Sequence, residues 1–486
     1  MSIDKKKFSS VRWSGISTFT RVFLSFLQIF VLARYIPPSE FGIMALAVTV
    51  VNIINIASDI GISQALIRFQ VRDERIISTL FWVNFLFSII LTFFIISLSG
   101  VIAEFYNEPE LANVLLLLSI SFPITSVSQI VKALAEMDLQ FRRLAIAEIF
   151  SMFISVLVAI ISALLFDYGV YSLVFGVISL SVASSFLAIS VVKPMWHPIF
   201  AFDIIKASTH LSFGVRILFT GLLNAFGAQA DIIVSGRLFS AGMVGLYSQP
   251  RDLSFKIMMA LNPIINRVTL PMVASFREDR KQVGVLYKEA LLVILSVNFP
   301  IYLYLFFSAG PVVRLALGPN WEVAVPFMEA VAVWSLFRCI GNPIGSLLTG
   351  TGRVNRYLFS SFIVTTLVLL FSYVSGRLYG LISIPYALAV LYFMLIIFFY
   401  RFCIHSVCEF PFRDYLLTIL RPMLISILSC GPLYALKLSD MSDILYIIAS
   451  FVIFVIAYVG ASYIFNKEFV NFGKRVFLEG LSGGRR

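Results

Sequence analysis

The chain has 486 residues, of which 59% are hydrophobic and 13% charged, with a formal net charge of +11. A soluble domain carries roughly 25% charged residues, so this composition excludes a water-soluble globular protein. It excludes disordered, fibrous and disulfide-stapled chains as well, and a mean hydropathy of +0.95 makes the bilayer the main solvent.

Apolar stretches of about 20 residues without period-two alternation read as spanning helices, not barrel strands. The expected fold class is therefore an all-α integral membrane protein. The first stretch, about Val11 to Ile36, is too long for a signal-peptide core and runs into Pro37-Pro38, so no cleavable signal is expected. In chain order, fourteen spans are expected: 12–35, 42–66, 78–102, 112–135, 144–166, 170–192, 208–235, 243–273, 290–312, 323–349, 357–376, 380–400, 415–436 and 444–465. The connections are short, and none is large enough for a catalytic domain. Four Cys (Cys339, Cys403, Cys408, Cys430) and three His (His197, His210, His405) are scattered at spacings that suggest neither metal nor redox chemistry.

Lys and Arg set the expected orientation. Of the 37, 25 fall on one side, from Lys5–Lys7 through Arg68–Arg75, Lys132, Arg142 and Arg143, Arg277–Lys288, Arg353 and Arg356 to Lys467 and Arg486. The opposite loops hold few bases and carry Glu104, Glu108, Glu322 and Asp443. Both termini are therefore expected to be cytoplasmic. The positive charge is a topology signal spread over many segments, so no nucleic-acid partner is expected.

Seven bases remain inside expected spans: Arg21, Arg216, Arg251, Lys256, Arg267, Arg338 and Arg421. Intramembrane acids are fewer: Asp59, Glu148, Asp231, Asp252 and Glu329. Such charges cost a few kcal/mol each at the bilayer centre and should face a protein interior or a watery cavity. An interior richer in bases than acids suits an anionic ligand.

An internal repeat relates Ile29–Gly42 to Ile232–Gly245 at an offset of 203, with identities Ile29/Ile232, Val31/Val234, Arg34/Arg237 and Gly42/Gly245. Six spans separate the copies, which keeps their orientation. The expected organisation is an N-lobe at 1–207, a C-lobe at 208–401, and two extra helices with a tail at 402–486. Asn262-Pro263 and Asn342-Pro343 interrupt spans eight and ten.

The opening Phe19–Gly42 (FTRVFLSFLQIFVLARYIPPSEFG) resembles the first-helix pattern of the multidrug/oligosaccharidyl-lipid/polysaccharide exporter superfamily. Asn262–Phe276 (NPIINRVTLPMVASF), Arg338–Leu348 (RCIGNPIGSLL) and Ser58–Ser63 (SDIGIS) resemble the bacterial Wzx-type polysaccharide flippases of the colanic-acid branch. The resemblance implies two pseudo-symmetric six-helix lobes plus two C-terminal helices around a V-shaped central cavity. It implies alternating-access transfer of undecaprenyl-diphosphate-linked oligosaccharide repeat units from the cytoplasmic to the periplasmic leaflet of the bacterial inner membrane. The product would serve exopolysaccharide, capsule or O-antigen synthesis, with polymerase machinery as a further partner. In the related lipid II flippases a cavity Arg stands at the place of Arg21, in the same [ST]RV context. Their second cavity Arg, six residues on, is Leu27 here.

A diphosphate is suited to guanidinium, whose planar fork binds phosphate oxygens bidentately and stays charged. The candidate substrate-binding residues are Arg21, Arg216, Arg338, Asn342, Arg251 and Arg267. Arg21 lies about 14 Å along span one at 1.5 Å per residue, too deep for comfortable snorkelling, and Arg216 lies at the same depth in span seven. Asp59, Asp231 and Asp252 are candidates for coupling to a proton or sodium gradient, since a buried carboxyl tends to hold a proton. Intrahelical or intralobe ion pairing is the structural alternative for these charges. No G-x-x-x-x-G-K-[ST] occurs, so direct use of ATP is not expected. No other cofactor or metal is expected, and a monomer is expected. The competing functions are a multidrug exporter of the same superfamily, which the base-rich interior disfavours, and a membrane-embedded glycan polymerase or transferase, which lacks the large outer loop it would need.

Overall fold

The computed structural model describes residues 3–192, 196–200, 202–436 and 441–471. The side chains of 3–11, 204–206, 209, 211–213, 216–217, 259–271 and 435 fall outside the description. Among the described residues the chain is helical throughout, with no strand, and thirteen helical stretches are long and apolar enough to cross a membrane. They match thirteen of the fourteen expected spans. The remaining one, 243–273, corresponds to a single 35-residue helix whose side chains at 259–271 are not described.

The chain divides into two compact units, Met1–Gln249 and Pro250–Arg486. Unit 1 holds α1 (Ile3–Leu32), α2 (Pro38–Ser58), α3 (Ile62–Phe69), α4 (Glu74–Tyr106), α5 (Glu110–Ser119), α6 (Ser121–Met137), α7 (Phe141–Phe166), α8 (Val170–Val191) and α9 (Ile204–Leu238). It also holds the first turns of α10 (Ala241–Ser275). Unit 2 continues with α11 (Arg280–Phe307), α12 (Ala309–Ala316), α13 (Val325–Arg338), α14 (Asn342–Gly350), α15 (Val354–Tyr379), α16 (Ser383–Phe398), α17 (Phe412–Ser429), α18 (Gly431–Leu436) and α19 (Asp443–Phe465).

Local sequence sets the helix ends. Asp73 caps α4 by accepting from the amides of Arg75 and Ile76, and Asp279 caps α11 through the amides of Lys281 and Gln282. Pro38, whose missing N–H costs nothing in a first turn, opens α2. Asn342-Pro343 begins α14 after a 3-10 turn at Cys339–Gly341, so the expected interruption is present there. At Asn262-Pro263 it is not: α10 runs unbroken through Pro263. A proline removes one intrahelical bond, which a long membrane helix tolerates.

The packing is that of a chain dissolved in lipid. Large apolar side chains such as Phe19, Leu165 and Leu428 point outward, while serines fill the contacts between helices. Ser88 bonds Ser126 at 3.0 Å, Ser128 meets Ser185 at 3.0 Å, and Ser155 donates to the carbonyl of Gly176 at 2.7 Å. Small residues let helices approach, and their hydroxyls bond across the interface. In unit 1, α7 packs on α8 and α1, and α6 on α8 and α4; in unit 2, α13 packs on α16 and α11, and α17 on α11 and α19.

The repeat has a structural counterpart within unit 1. A Cβ on Gly42 would stand 1.8 Å from the carbonyl oxygen of Ala241, and a Cβ on Gly245 would stand 1.8 Å from that of Pro38. Pro38 and Ala241 are themselves one repeat apart, so the contact is reciprocal. Only glycine permits this crossing of α2 and α10.

Candidate functional site

In unit 1, Ser17, Arg21, Leu24 and Gln28 share one face of α1, at i, i+4, i+7 and i+11. That face meets α7. Ser17 Oγ donates to Glu148 Oε2, and Arg21 Nη1 lies 3.7 Å from the same oxygen. Lys132 was expected in a loop; it lies inside the α5–α6 span, and its Nζ donates to Ser184 Oγ on α8 at 2.7 Å. The charges of Arg21 and Glu148 both act on the Lys132 ammonium. The cluster holds two cations against one carboxylate. The Arg21 and Glu148 side chains stay 45% and 38% exposed, so the pair is not sealed away and its guanidinium keeps donors for another acceptor.

In unit 2, Arg251 and Arg338 converge on one ring. The Arg251 guanidinium carbon is 4.7 Å from the Phe255 centroid and that of Arg338 is 4.3 Å from it, with Trp334 5.2 Å from Arg338. Arg251 Nη1 also lies 3.2 Å from Asp252 Oδ1. Arg251 is buried, while the Asp252 side chain is 45% exposed. Aromatic faces attract cations through their quadrupole, by about 0.5–2 kcal/mol depending on desolvation, so they hold guanidiniums in place without neutralising them. The Nδ2 of Asn342 is buried without a hydrogen-bond partner among the described residues. The 3-10 turn at Cys339–Gly341 separates it from Arg338, so the regular i, i+4 stripe expected for the two is interrupted.

The expected residues thus fall into separate groups. Arg21 belongs to the unit 1 cluster, and Arg251, Arg338 and Asp252 form the unit 2 cluster. Arg216 on α9 and Arg267 on α10 lie where side chains are outside the described residues. Asp59, at the C-terminal end of α2, accepts from the amide and hydroxyl of Ser63 in the first turn of α3, at 3.3 and 2.7 Å. It sits in a turn in which Gly61 has φ +68° and a Cβ would stand 2.6 Å from the Gly214 carbonyl. Asp231 is 1% exposed and accepts from Tyr247 Oη at 2.6 Å. Arg34 stacks 3.8 Å over Phe30 and bonds its carbonyl, and Arg237 bonds the carbonyl of Phe105 at 3.2 Å, both at helix ends. Lys132, Ser184, Phe255 and Trp334 were not singled out from the sequence. Lys132 was legible, since it falls within the expected span 112–135.

A family model described as "Polysaccharide biosynthesis protein" matches residues 31–326. The chain belongs to that family. Within the polysaccharide biosynthesis family it is 26% identical over 436 residues to the lipopolysaccharide biosynthesis protein WzxC of Escherichia coli (strain K12), covering 90% of this chain and 88% of that one. Its fold is that of a solved structure described as the lipid II flippase MurJ in an inward closed conformation. The TM-score is 0.77 at 15% identity, over 95% of this chain and 100% of the other. An inward-facing multidrug resistance MATE family transporter of the MOP superfamily shares the fold more loosely, with a TM-score of 0.64 at 13% identity, over 87% and 96% of the two chains. This member of the polysaccharide biosynthesis family is therefore a multi-pass membrane protein with the MurJ- and MATE-type fold.

Proposed function

We propose that this protein is a flippase. It moves undecaprenyl-diphosphate-linked oligosaccharide repeat units from the cytoplasmic to the periplasmic leaflet of the bacterial inner membrane by alternating access. The product feeds exopolysaccharide, capsule or O-antigen synthesis, and a polymerase stands downstream. The observation that carries this reading is the excess of fixed cations inside the spans: Arg21 and Lys132 against Glu148 in unit 1, Arg251 and Arg338 against Asp252 in unit 2. A diphosphate leaving the headgroup zone needs such charges, and guanidinium offers it two parallel bonds. Arg216, Arg267 and Asn342 belong to the same proposal. Asp59, Asp231 and Asp252 are the places where a proton or sodium ion would couple; Asp252, whose side chain is 45% exposed, is better placed to exchange one than the buried Asp231.

The functional lobes follow the repeat, 1–207 and 208–401, with 402–486 added. The reciprocal Gly42/Gly245 contact supports that division, because symmetry-related copies make such contacts pairwise. Both termini are cytoplasmic in this reading, and the working unit is a monomer. The cation-rich interior argues against a cationic drug as cargo.

The test is a proteoliposome assay with a labelled, defined undecaprenyl-diphosphate oligosaccharide. Wild type moves the label between leaflets without changing its mass. Arg21→Ala and Arg338→Ala stop transfer, and Arg377→Ala, an exposed helix-end change, leaves it intact. A change in glycolipid mass would make the protein an enzyme. Transfer unaffected by both cavity substitutions would end the cationic-clamp mechanism.

A further inference from the structure

Away from these clusters, the end of unit 2 that carries Arg280, Arg413 and Lys467 holds a cavity of about 110 Å³ between α11, α17 and the segment after α19. Lys288, Arg421, Glu468 and Asp414 bring two charges of each sign to its wall, with Thr418 and Asn466 beside them. Lys288 Nζ bonds Glu468 Oε2 at 2.9 Å, whereas Arg421 Nη1 stands off the other Glu468 oxygen at 3.8 Å. Arg421 thus keeps most of its donors open. Among the described residues the Asp414 carboxylate has no ion-pair partner, although it lines the same cavity.

Position adds a second constraint. Asp414, Leu417, Arg421, Leu424 and Leu428 share one face of α17, at i, i+3, i+7, i+10 and i+14. Asp414 lies in the first turn of α17, and Arg421 lies about 10 Å deeper at 1.5 Å per residue. Beyond it Leu424 and Leu428 are 55% and 67% exposed. From the surface inward the stripe therefore reads acid, base, apolar. That is the complement of an amine, a phosphate and acyl chains.

We propose that this cavity is a headgroup site for a zwitterionic glycerophospholipid bearing a primary amine. Its phosphate lies against Arg421 and Lys288, its ammonium against Asp414, and its chains lie along Leu424 and Leu428. A net-neutral pocket with separated charges selects a zwitterion over an anion, and an acid with no partner selects an N–H donor over a quaternary amine.

The full-length protein, purified and exposed to vesicles of phosphatidylethanolamine, phosphatidylglycerol or phosphatidylcholine, is read by native mass spectrometry. Phosphatidylethanolamine is retained over the other two by about tenfold, the effect of one charge-assisted bond. Asp414→Asn removes the preference over phosphatidylcholine and, by leaving the pocket net positive, raises retention of phosphatidylglycerol. Arg421→Gln lowers retention of all three; if it lowers the melting temperature as well, Arg421→Lys, which keeps the charge and loses the fork, gives a partial loss instead. Excess inorganic phosphate does not displace the lipid. Equal retention of the three lipids, or retention indifferent to Asp414→Asn and both Arg421 substitutions, makes the four groups a salt-bridge cluster and overturns the proposal. Displacement by inorganic phosphate makes it a simple anion site and overturns it too.

Discussion

The Arg21–Glu148 pair costs little to open, as the flippase reading requires of a side chain that changes partners. Its separation of 3.7 Å and the partial exposure of both side chains make it a weak pair, worth about 0–1 kcal/mol where water reaches it. Glu148 also receives Ser17, so its carboxylate stays anchored when the guanidinium turns to another acceptor. Under the flippase reading, Glu148 and the substrate phosphate compete for Arg21. Glu148→Gln is therefore expected to tighten glycolipid binding and slow its release, measured as a lower half-saturation concentration and a lower turnover in the flipping assay. Arg21→Ala is expected to abolish export at wild-type protein level, and Arg21→Lys to restore only part of it. Normal surface polysaccharide in Arg21→Ala cells would make Arg21 idle. Lys132 was missed as a site residue because it was grouped with neighbouring loop bases, although its own span contained it; the bond to Ser184 is a tertiary fact.

Between helices, shape decides. The crossing of α2 and α10 brings Gly42 and Gly245 so close to opposing carbonyls that any Cβ would overlap backbone atoms, which cannot rotate away. Gly42→Val or Gly245→Val is expected to force the helices apart at a cost of about 1–3 kcal/mol or more, read as a lower melting temperature in detergent. Gly100→Val, with open space around its Cβ position, is the control and should change little. A melting temperature unchanged in both glycine variants would mean that the crossing is not tight in the membrane. At the other end of the chain, α19 is tied to the rest of unit 2. Tyr458 Oη donates to the Ser296 carbonyl at 2.6 Å, Asn466 to Ser296 Oγ at 3.1 Å, and Arg314 holds Asp443 at 2.7 Å. Truncation after Asp440 is therefore expected to lower both protein level and export, as read by immunoblot and surface polysaccharide; full retention of both would make α19 peripheral.

For the whole molecule, charge asymmetry gives a topology that labelling can check. Cysteines introduced at Asn107 and Asn320 are expected to react with an impermeant maleimide in intact cells, and those at Gln70 and Arg280 to react only after lysis. All four positions are exposed. The native background should be low, because Cys339, Cys403, Cys408 and Cys430 are all buried. Burial pushes the Cys408 thiol up to about 12, leaving little of the reactive thiolate at neutral pH. Labelling at 70 or 280 in intact cells would invert the map.

The sequence by itself determined the solvent and the number of spans to within one, because twenty apolar residues in a row are a length measurement against the bilayer; it did not place the break between α2 and α3 or the start of α11, ten residues before the expected one. It did make the internal repeat legible: the offset of 203 and its two glycines need no coordinates. It could not say that Gly42 and Gly245 face each other, since a short motif carries no partner. Tertiary structure alone decided how the charges pair. The structure shows Ser63 bonding the carboxylate of Asp59, a coupling candidate that the sequence presents without a partner. Arg251 and Arg338, 87 positions apart in the chain, are joined by one phenyl ring at Phe255. Hydropathy is a local property summed along one helix, whereas the fate of a charge depends on which side chains from other helices lie within a few ångströms of it.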